Sequence, residues 1–211
     1  MQTYKQKSNK PNKFFRDLEN AKIFELFFGE QLKMNGHTNI SYNNDKKYDI
    51  SSTSQEGIQY KFEIKCDANS LVYFRTGVEI MSWGKEAGPL TSEADFFIIF
   101  WPQFKCYAII ATDIILKMMA GSKYTIRTTG DKKATTMYLW DMDVFVKECQ
   151  RIAKRDNLIF KTINNSSISN FITDDIFDFL TEKRAIYAET TDCRNRKMKN
   201  KKINSYYAGK I

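Results

Sequence analysis

The sequence predicts an α/β protein built on a mixed β-sheet flanked by helices. Three observations carry this expectation: an apolar stripe at helical spacing early in the chain, a strictly alternating strand in "YKFEIKCD", and two consecutive apolar runs, "ADFFIIFW" and "FKCYAIIATDIILKMMAG", the second passing from strand into helix. At 211 residues the chain has room for one sizeable domain with a single main core. Its 16 Phe, 11 Tyr and 3 Trp, against 9 Gly and 3 Pro, argue for a folded chain.

Taken in order, Ile23, Phe24, Phe27, Phe28, Leu32 and Met34 recur at the spacing of a helix over 17–34, with Asn35-Gly36 as its stop. Glu25 falls at the edge of that apolar face beside Leu32, where it could lean over a sheet. Short strands are expected at 39–42 and 48–50, and a longer one at 58–67. In the longer strand Tyr60, Phe62, Ile64 and Cys66 take one face while Lys61, Glu63, Lys65 and Asp67 take the other. A hairpin turn centred on Gln55-Glu56-Gly57 would set Asp49 across from Glu63, with Lys65 beside them. Strands at 96–101 and 104–111 follow, joined by a tight Pro102-Gln103 connection, and then a helix over 113–120 that Gly121 ends. Beyond it come a hairpin about Gly130-Asp131, an amphipathic helix in "DMDVFVKECQRIAKRD" and a further helix in "TDDIFDFLTEK". The chain therefore reads as a basic lead (1–16), a core (17–121), an extension of helices and a hairpin packed on it (122–193) and a basic tail (194–211).

A formal charge of +8 and a pI near 9.2 favour polyanionic partners. No window approaches a membrane-spanning apolar run, and "MQTYKQKSNKPNK" has no apolar stretch behind its charges, so a cytoplasmic protein without a membrane partner is expected. Cys66, Cys106, Cys149 and Cys193 are too scattered for a zinc knuckle or dithiol motif. His37 is the sole histidine, which excludes histidine-rich metal sites and leaves Ser-His or Cys-His pairs only if His37 itself serves. Neither a phosphate loop nor a nucleophile elbow is present. Carboxylate and lysine chemistry is what is left.

Opposed carboxylates are destabilising unless a cation lies between them, and a cation of the magnesium type takes one or two carboxylates, a carbonyl and waters. An isolated E-x-K triplet is also what a solvated sheet face looks like, so the order of elements has to decide. With Asp49 in "YDI" and Glu63 and Lys65 in "FEIKCD" following an amphipathic helix, the chain resembles the PD-(D/E)XK nuclease superfamily, whose core is a helix and a mixed sheet carrying a sparse Glu, Asp, (Asp/Glu)-x-Lys signature. Tyr48 stands where the family often has Pro. The Phe24-Glu25 pair ahead of Gly36 is similar to resolvase-like and Mrr-like members. The stretch "FRTGVEIMSWGKEAGPLTSEADFFIIF" is similar to phage-type members in its T-G turn, glutamate and T-x-x-A-D approach to the next strand.

The resemblance covers residues 17–120 and implies a restriction-endonuclease-like core. It implies a metal-dependent DNA endonuclease, with a Holliday-junction resolvase or a phage enzyme of recombination or DNA processing as the leading form. A restriction endonuclease or exonuclease of the same superfamily, and a non-catalytic basic DNA-binding protein, are the alternatives. Asp49 and Glu63, with the Ile64 carbonyl, would hold Mg²⁺ or Mn²⁺. Lys65 would orient or help deprotonate the attacking water and contact the phosphate, and Glu25 would bind a second metal directly or through water. The partner would be duplex or branched DNA, cut by a homodimer with one site per strand. Lys61 shares the charged face and could touch DNA, whereas Asp67, Glu79, Asp95, Cys66 and His37 carry less weight, Asp95 and Glu79 fitting loop or capping hydrogen bonds.

The tail "RNRKMKNKK" places Arg194, Arg196, Lys197, Lys199, Lys201 and Lys202 ahead of Tyr206 and Tyr207. A solvated end accounts for it, as does phosphate contact with stacking rings close by. Deleting Arg194 to Ile211 should lower DNA affinity and make its salt dependence shallower, by about one unit of slope for each phosphate that the tail engages. A binding series across salt concentrations measures this, and an unchanged slope would mean that the tail never meets phosphate.

Overall fold

The helix expected over 17–34 runs Lys13–Met34 (α1) in a computed structural model that describes residues 13–43, 47–67, 74–129 and 135–165. Its stop works as the sequence indicates: Gly36 takes φ +80°, and the His37 N–H returns to the Leu32 carbonyl at 3.0 Å. Phe24, Phe27, Phe28 and Leu32 are buried along one side, while Met34 at the end is exposed. A Cβ on Gly29 would lie 2.0 Å from the Tyr42 hydroxyl oxygen, so glycine there lets Tyr42 cross the helix.

The strands are β1 (Thr38–Tyr42), β2 (Ile50–Thr53), β3 (Gln59–Cys66), β4 (Arg75–Ser82), β5 (Lys85–Glu86), β6 (Phe96–Trp101), β7 (Cys106–Ala111), β8 (Thr125–Thr129), β9 (Thr135–Asp141) and β10 (Phe160–Asn164). Helix α2 (Thr112–Gly121) follows β7, and α3 (Met142–Asp156) follows β9. The main sheet has the order β1-β2-β3-β6-β7-β10, with β3 and β6 parallel and every other pair antiparallel. The coarse expectation of an α/β protein with a mixed sheet is therefore met. The strand expected at 48–50 lies further on, at 50–53, which leaves Asp49 just ahead of it.

Strand β6 sits between β3 and β7 with both faces buried, which is why "FFIIFW" reads as a continuous apolar run and not as an alternation. Its even residues, Ile98 and Phe100, pack with α1, Ile50, Phe62, Ile64 and Tyr107. Its odd residues, Phe97, Ile99 and Trp101, pack with α2, α3, and Val78 and Trp140 of a second sheet. That second sheet, β5-β4-β9-β8, is antiparallel throughout. Buried Trp101 donates its indole N–H to Thr76 Oγ1 at 3.2 Å and Trp140 donates to Ser122 Oγ at 2.8 Å, so both buried indoles are satisfied.

The sequence reads residues beyond 121 as an extension on a core, but in the structure they share both sheets: β9 pairs with β4, and β10 closes the main sheet against β7. Strands β4, β5 and β10 were not anticipated. The helix expected in "TDDIFDFLTEK", the basic tail and residues 1–12 lie outside the described residues. Among the described residues no helix is long and apolar enough to cross a membrane.

Phe100 is fully buried, with ring centroids 4.7 Å from Phe24, 5.8 Å from Phe27 and 5.0 Å from Tyr107. Phe100→Ala should lower unfolding free energy by about 3–5 kcal/mol in urea titrations, since three aromatic neighbours cannot close the space. A loss below about 1 kcal/mol would show that α1 is not anchored through this ring.

Candidate functional site

Strand β3 separates chemistry from core by simple alternation. Phe62 and Ile64 join the α1 side, whereas Glu63 faces the other side of the sheet, next to Phe97 of β6, with Lys65 next to Ile99. Asp49 is fastened to the same place. Its N–H donates to the Phe62 carbonyl at 2.9 Å and its Oδ2 accepts the Ile64 N–H at 2.6 Å, so it holds the peptides on both sides of Glu63. The β2–β3 ladder pairs Ile50 with Phe62, and one step further along it Asp49 meets Glu63. A strand residue sends its N–H and C=O to the same side, so the Ile64 carbonyl also turns toward Asp49.

Glu63 is 8 % exposed and pairs with Lys65 Nζ at 2.6 Å. Burial pushes its carboxyl above the ordinary range and the Asp49 charge pushes the same way, against the opposing pull of Lys65. The Ser92 hydroxyl donates to the Lys47 carbonyl at 2.9 Å, and its polarity opposes the rise at Glu63. For Lys65, whose side chain is 47 % exposed, desolvation would lower the pKa, but Glu63, Asp49 and Glu79 outweigh it and hold the ammonium above the ordinary lysine value. Glu79, on β4, thus acts on the site electrostatically.

A clasp fixes the approach to Asp49. Glu93 accepts from Lys61 Nζ at 2.9 Å and from Lys47 Nζ, and its N–H donates to the Lys47 carbonyl at 2.8 Å. The Lys47 and Lys61 ammonium groups hold the Glu93 carboxyl down to about 2. Lys61 Nζ also lies 4.9 Å from the centre of the Tyr48 ring, which shelters the cation. Asp95 closes the clasp from the far side of β3, accepting the Lys61 N–H on Oδ2 at 2.8 Å while its own N–H donates to the Lys61 carbonyl at 2.9 Å. The hydrogen-bonding role expected of Asp95 is what the structure shows.

The structure thus brings Asp49, Glu63, Lys65 and the Ile64 backbone together. It does not bring Glu25 to them: Glu25 pairs with Lys22 Nζ at 2.6 Å, on a helix that covers the face opposite Glu63. Among the described residues no three or more His, Cys, Asp or Glu side chains converge as a metal-holding group. A residue at the edge of an apolar helix face follows that face onto its own side of the sheet. Lys61, expected at DNA, is engaged by Glu93, and the six basic tail residues lie outside the described residues. Cys66 packs against the α1 core, and His37 Nδ1 lies 2.8 Å from Ser52 Oγ, away from the acids. Ser92 and Glu93 were missed as site residues. Their only sequence signal was the T-x-x-A-D approach to β6, which marks a stretch and not a role.

Comparison with known proteins gives no match: no family model, curated protein or solved structure matches the chain.

Glu63 carries the pH signature of the site. Its folded pKa lies above the unfolded one, so between the two the folded state keeps a proton that the unfolded chain has lost, and stability is lost as pH rises through the folded pKa. Glu63→Gln should flatten that decline in denaturant titrations of the metal-free protein run from acid to neutral pH. Equal slopes for parent and variant would place the titration on another group.

Proposed function

We propose that the chain is a metal-dependent DNA endonuclease with a restriction-endonuclease-like core. The observation that carries this reading is the Asp49 carboxylate fastened across from β3 beside the Glu63–Lys65 pair, which gathers two acids and one cation. An N-terminal helix packed on a mixed sheet, with the E-x-K strand parallel to its neighbour, supports it.

The donors suit a hard divalent cation. Asp49 and Glu63 carboxylates with the Ile64 carbonyl are all oxygen, and Cys66 is turned to the other face. These three groups would hold Mg²⁺ or Mn²⁺, which when bound supplies a water of lowered pKa and offsets charge at the phosphate. Asp49, fixed through the Ile64 N–H, keeps its remaining lone pairs directed at the site. Glu63 contributes a charge that burial makes costly, so a cation beside it is strongly favoured. Lys65, held protonated in the metal-free protein, contacts the phosphate and orients the water; the base role also expected of it is the lesser one. Glu25 is left out of this assignment.

The charge of +8 fits a polyanionic substrate. A branched DNA such as a four-way junction, cut by a homodimer in recombination or phage DNA processing, is the form that the resolvase-like and phage-type features favour.

Mg²⁺ or Mn²⁺ should support cleavage within a panel of linear, supercoiled, flapped and four-way-junction DNA, EDTA should abolish it, and Ca²⁺ should permit binding without cutting. Asp49→Asn and Glu63→Gln should each lower turnover by roughly 100-fold or more while keeping DNA binding. No cleavage of any form with either metal would leave a basic DNA-binding protein. The products distinguish a resolvase from a restriction enzyme or an exonuclease.

A further inference from the structure

The turn joining β4 to β5 holds a residue that the fold does not use. Met81 pairs with Glu86 and Ser82 with Lys85, leaving a two-residue turn of Trp83 and Gly84. Both residues have positive φ, +52° and +76°, as a type I′ turn requires. Asn-Gly or Gly-Gly is the favoured filling of such a turn, and a bulky residue in the left-handed region is unfavourable. Tryptophan nevertheless occupies the first position with 71 % of its surface exposed, while Trp101 and Trp140 are 2 % and 1 % exposed. Neither turn geometry nor packing accounts for the ring.

The hairpin is tied by backbone contacts to the segment that follows it, the Ala87 N–H donating to the Ile80 carbonyl at 3.0 Å. Strand β4 carries Glu79, and Trp83 lies four residues beyond it, on the order of 13 Å along an extended strand. After β5 the chain turns at Gly88, where a Cβ would come within 2.1 Å of the Glu79 carbonyl, and then reaches Ser92, whose hydroxyl donates to the Lys47 carbonyl. The turn is therefore presented on a braced hairpin. Exposed Met81 pairs with Glu86 on one face of the hairpin and Lys85 pairs with Ser82 on the other, on a protein of charge +8.

We propose that Trp83 is a stacking residue that receives an unpaired base of the DNA substrate. A rigidly presented indole on a protein of net positive charge suits a base of a polyanion, and base–aromatic stacking is sequence-tolerant because every base has a π-face. The inference deepens the proposed DNA cleavage and rests on it for the identity of the ligand.

Trp83 is the one exposed indole among the three of this chain, which makes fluorescence a direct readout. In EDTA, where cleavage plays no part, an oligothymidylate should quench the solvent-exposed emission saturably, and Trp83→Phe should lack that signal while binding nearly as well as the parent. Trp83→Ala should weaken oligothymidylate binding by roughly tenfold or more, with binding of blunt duplex changed far less. Trp83→Asn separates binding from folding: Asn suits the left-handed position, so its melting temperature should equal or exceed that of the parent while single-strand binding falls as in Trp83→Ala. Unquenched emission, equal single-strand affinity in Trp83→Ala, or a blue shift with protein concentration in the absence of DNA would each overturn the proposal, the last by showing that a second copy covers the ring. Duplex cleavage without quenching would reject the stacking role and keep the nuclease; quenching without cleavage by any metal would do the reverse.

Discussion

The register of β3 is the constraint on which the rest of the site depends. Because side chains alternate, the shift that would expose Phe62 and Ile64 would also turn Glu63 and Lys65 into the α1 core, so the apolar face and the charged face are fixed by one choice. That choice is enforced from both edges. On one side Asp49 holds the Phe62 carbonyl and the Ile64 N–H; on the other, Asp95 exchanges hydrogen bonds with Lys61 before β6 pairs in parallel. A strand gripped on both sides, with large rings beneath it, cannot slip by one residue without breaking every one of these contacts.

What that register creates is an electrostatic imbalance. Two carboxylates, Asp49 and Glu63, face one ammonium, and Glu79 adds negative charge within reach of Lys65. Glu63 bears a desolvation cost, and the Lys65 pair opposes it without cancelling it, since the net shift is upward. Removing water strengthens repulsion between the acids as much as it strengthens their attraction to a cation. Oxygen donors, burial and excess negative charge together describe a place where a hard cation gains most.

Much of this was legible because it lies in local pattern. The amphipathic stripe from Phe24 to Leu32, the alternation through "YKFEIKC" and the turn around Glu56-Gly57 are short-range signals, and they located α1, β3 and the approach of Asp49 to Glu63. Strand β4 was hidden because "RTGVEIMS" contains a glycine and a glutamate and its partner β9 is more than fifty residues away in sequence. Strand β10 was hidden because at the sheet edge it reads as polar, with Lys161 and Thr162 exposed. The fate of Glu25 was not readable at all: a wheel places it at a face edge, but only the docking of α1 says which side of the sheet that edge meets. Trp83 likewise gave no periodic signal, since its meaning lies in a backbone angle and an exposure.

Not every contact around Asp49 carries equal weight. The Glu93 pairs with Lys47 and Lys61 involve side chains that are one-third to three-fifths exposed, and water screens such pairs so that they add little. The peptide bonds of the same clasp are of another kind: the Glu93 N–H to the Lys47 carbonyl, the Asp49 N–H to the Phe62 carbonyl and the reciprocal Asp95–Lys61 pair all tie main chain to main chain or to a short, stiff carboxylate. Positioning of Asp49 therefore rests on backbone, and the visible ion pairs steer the long lysine side chains more than they hold the strand. Lys65 stands at the opposite extreme, tied by one ion pair and half exposed, so the group proposed to contact phosphate is also the one least constrained to stay.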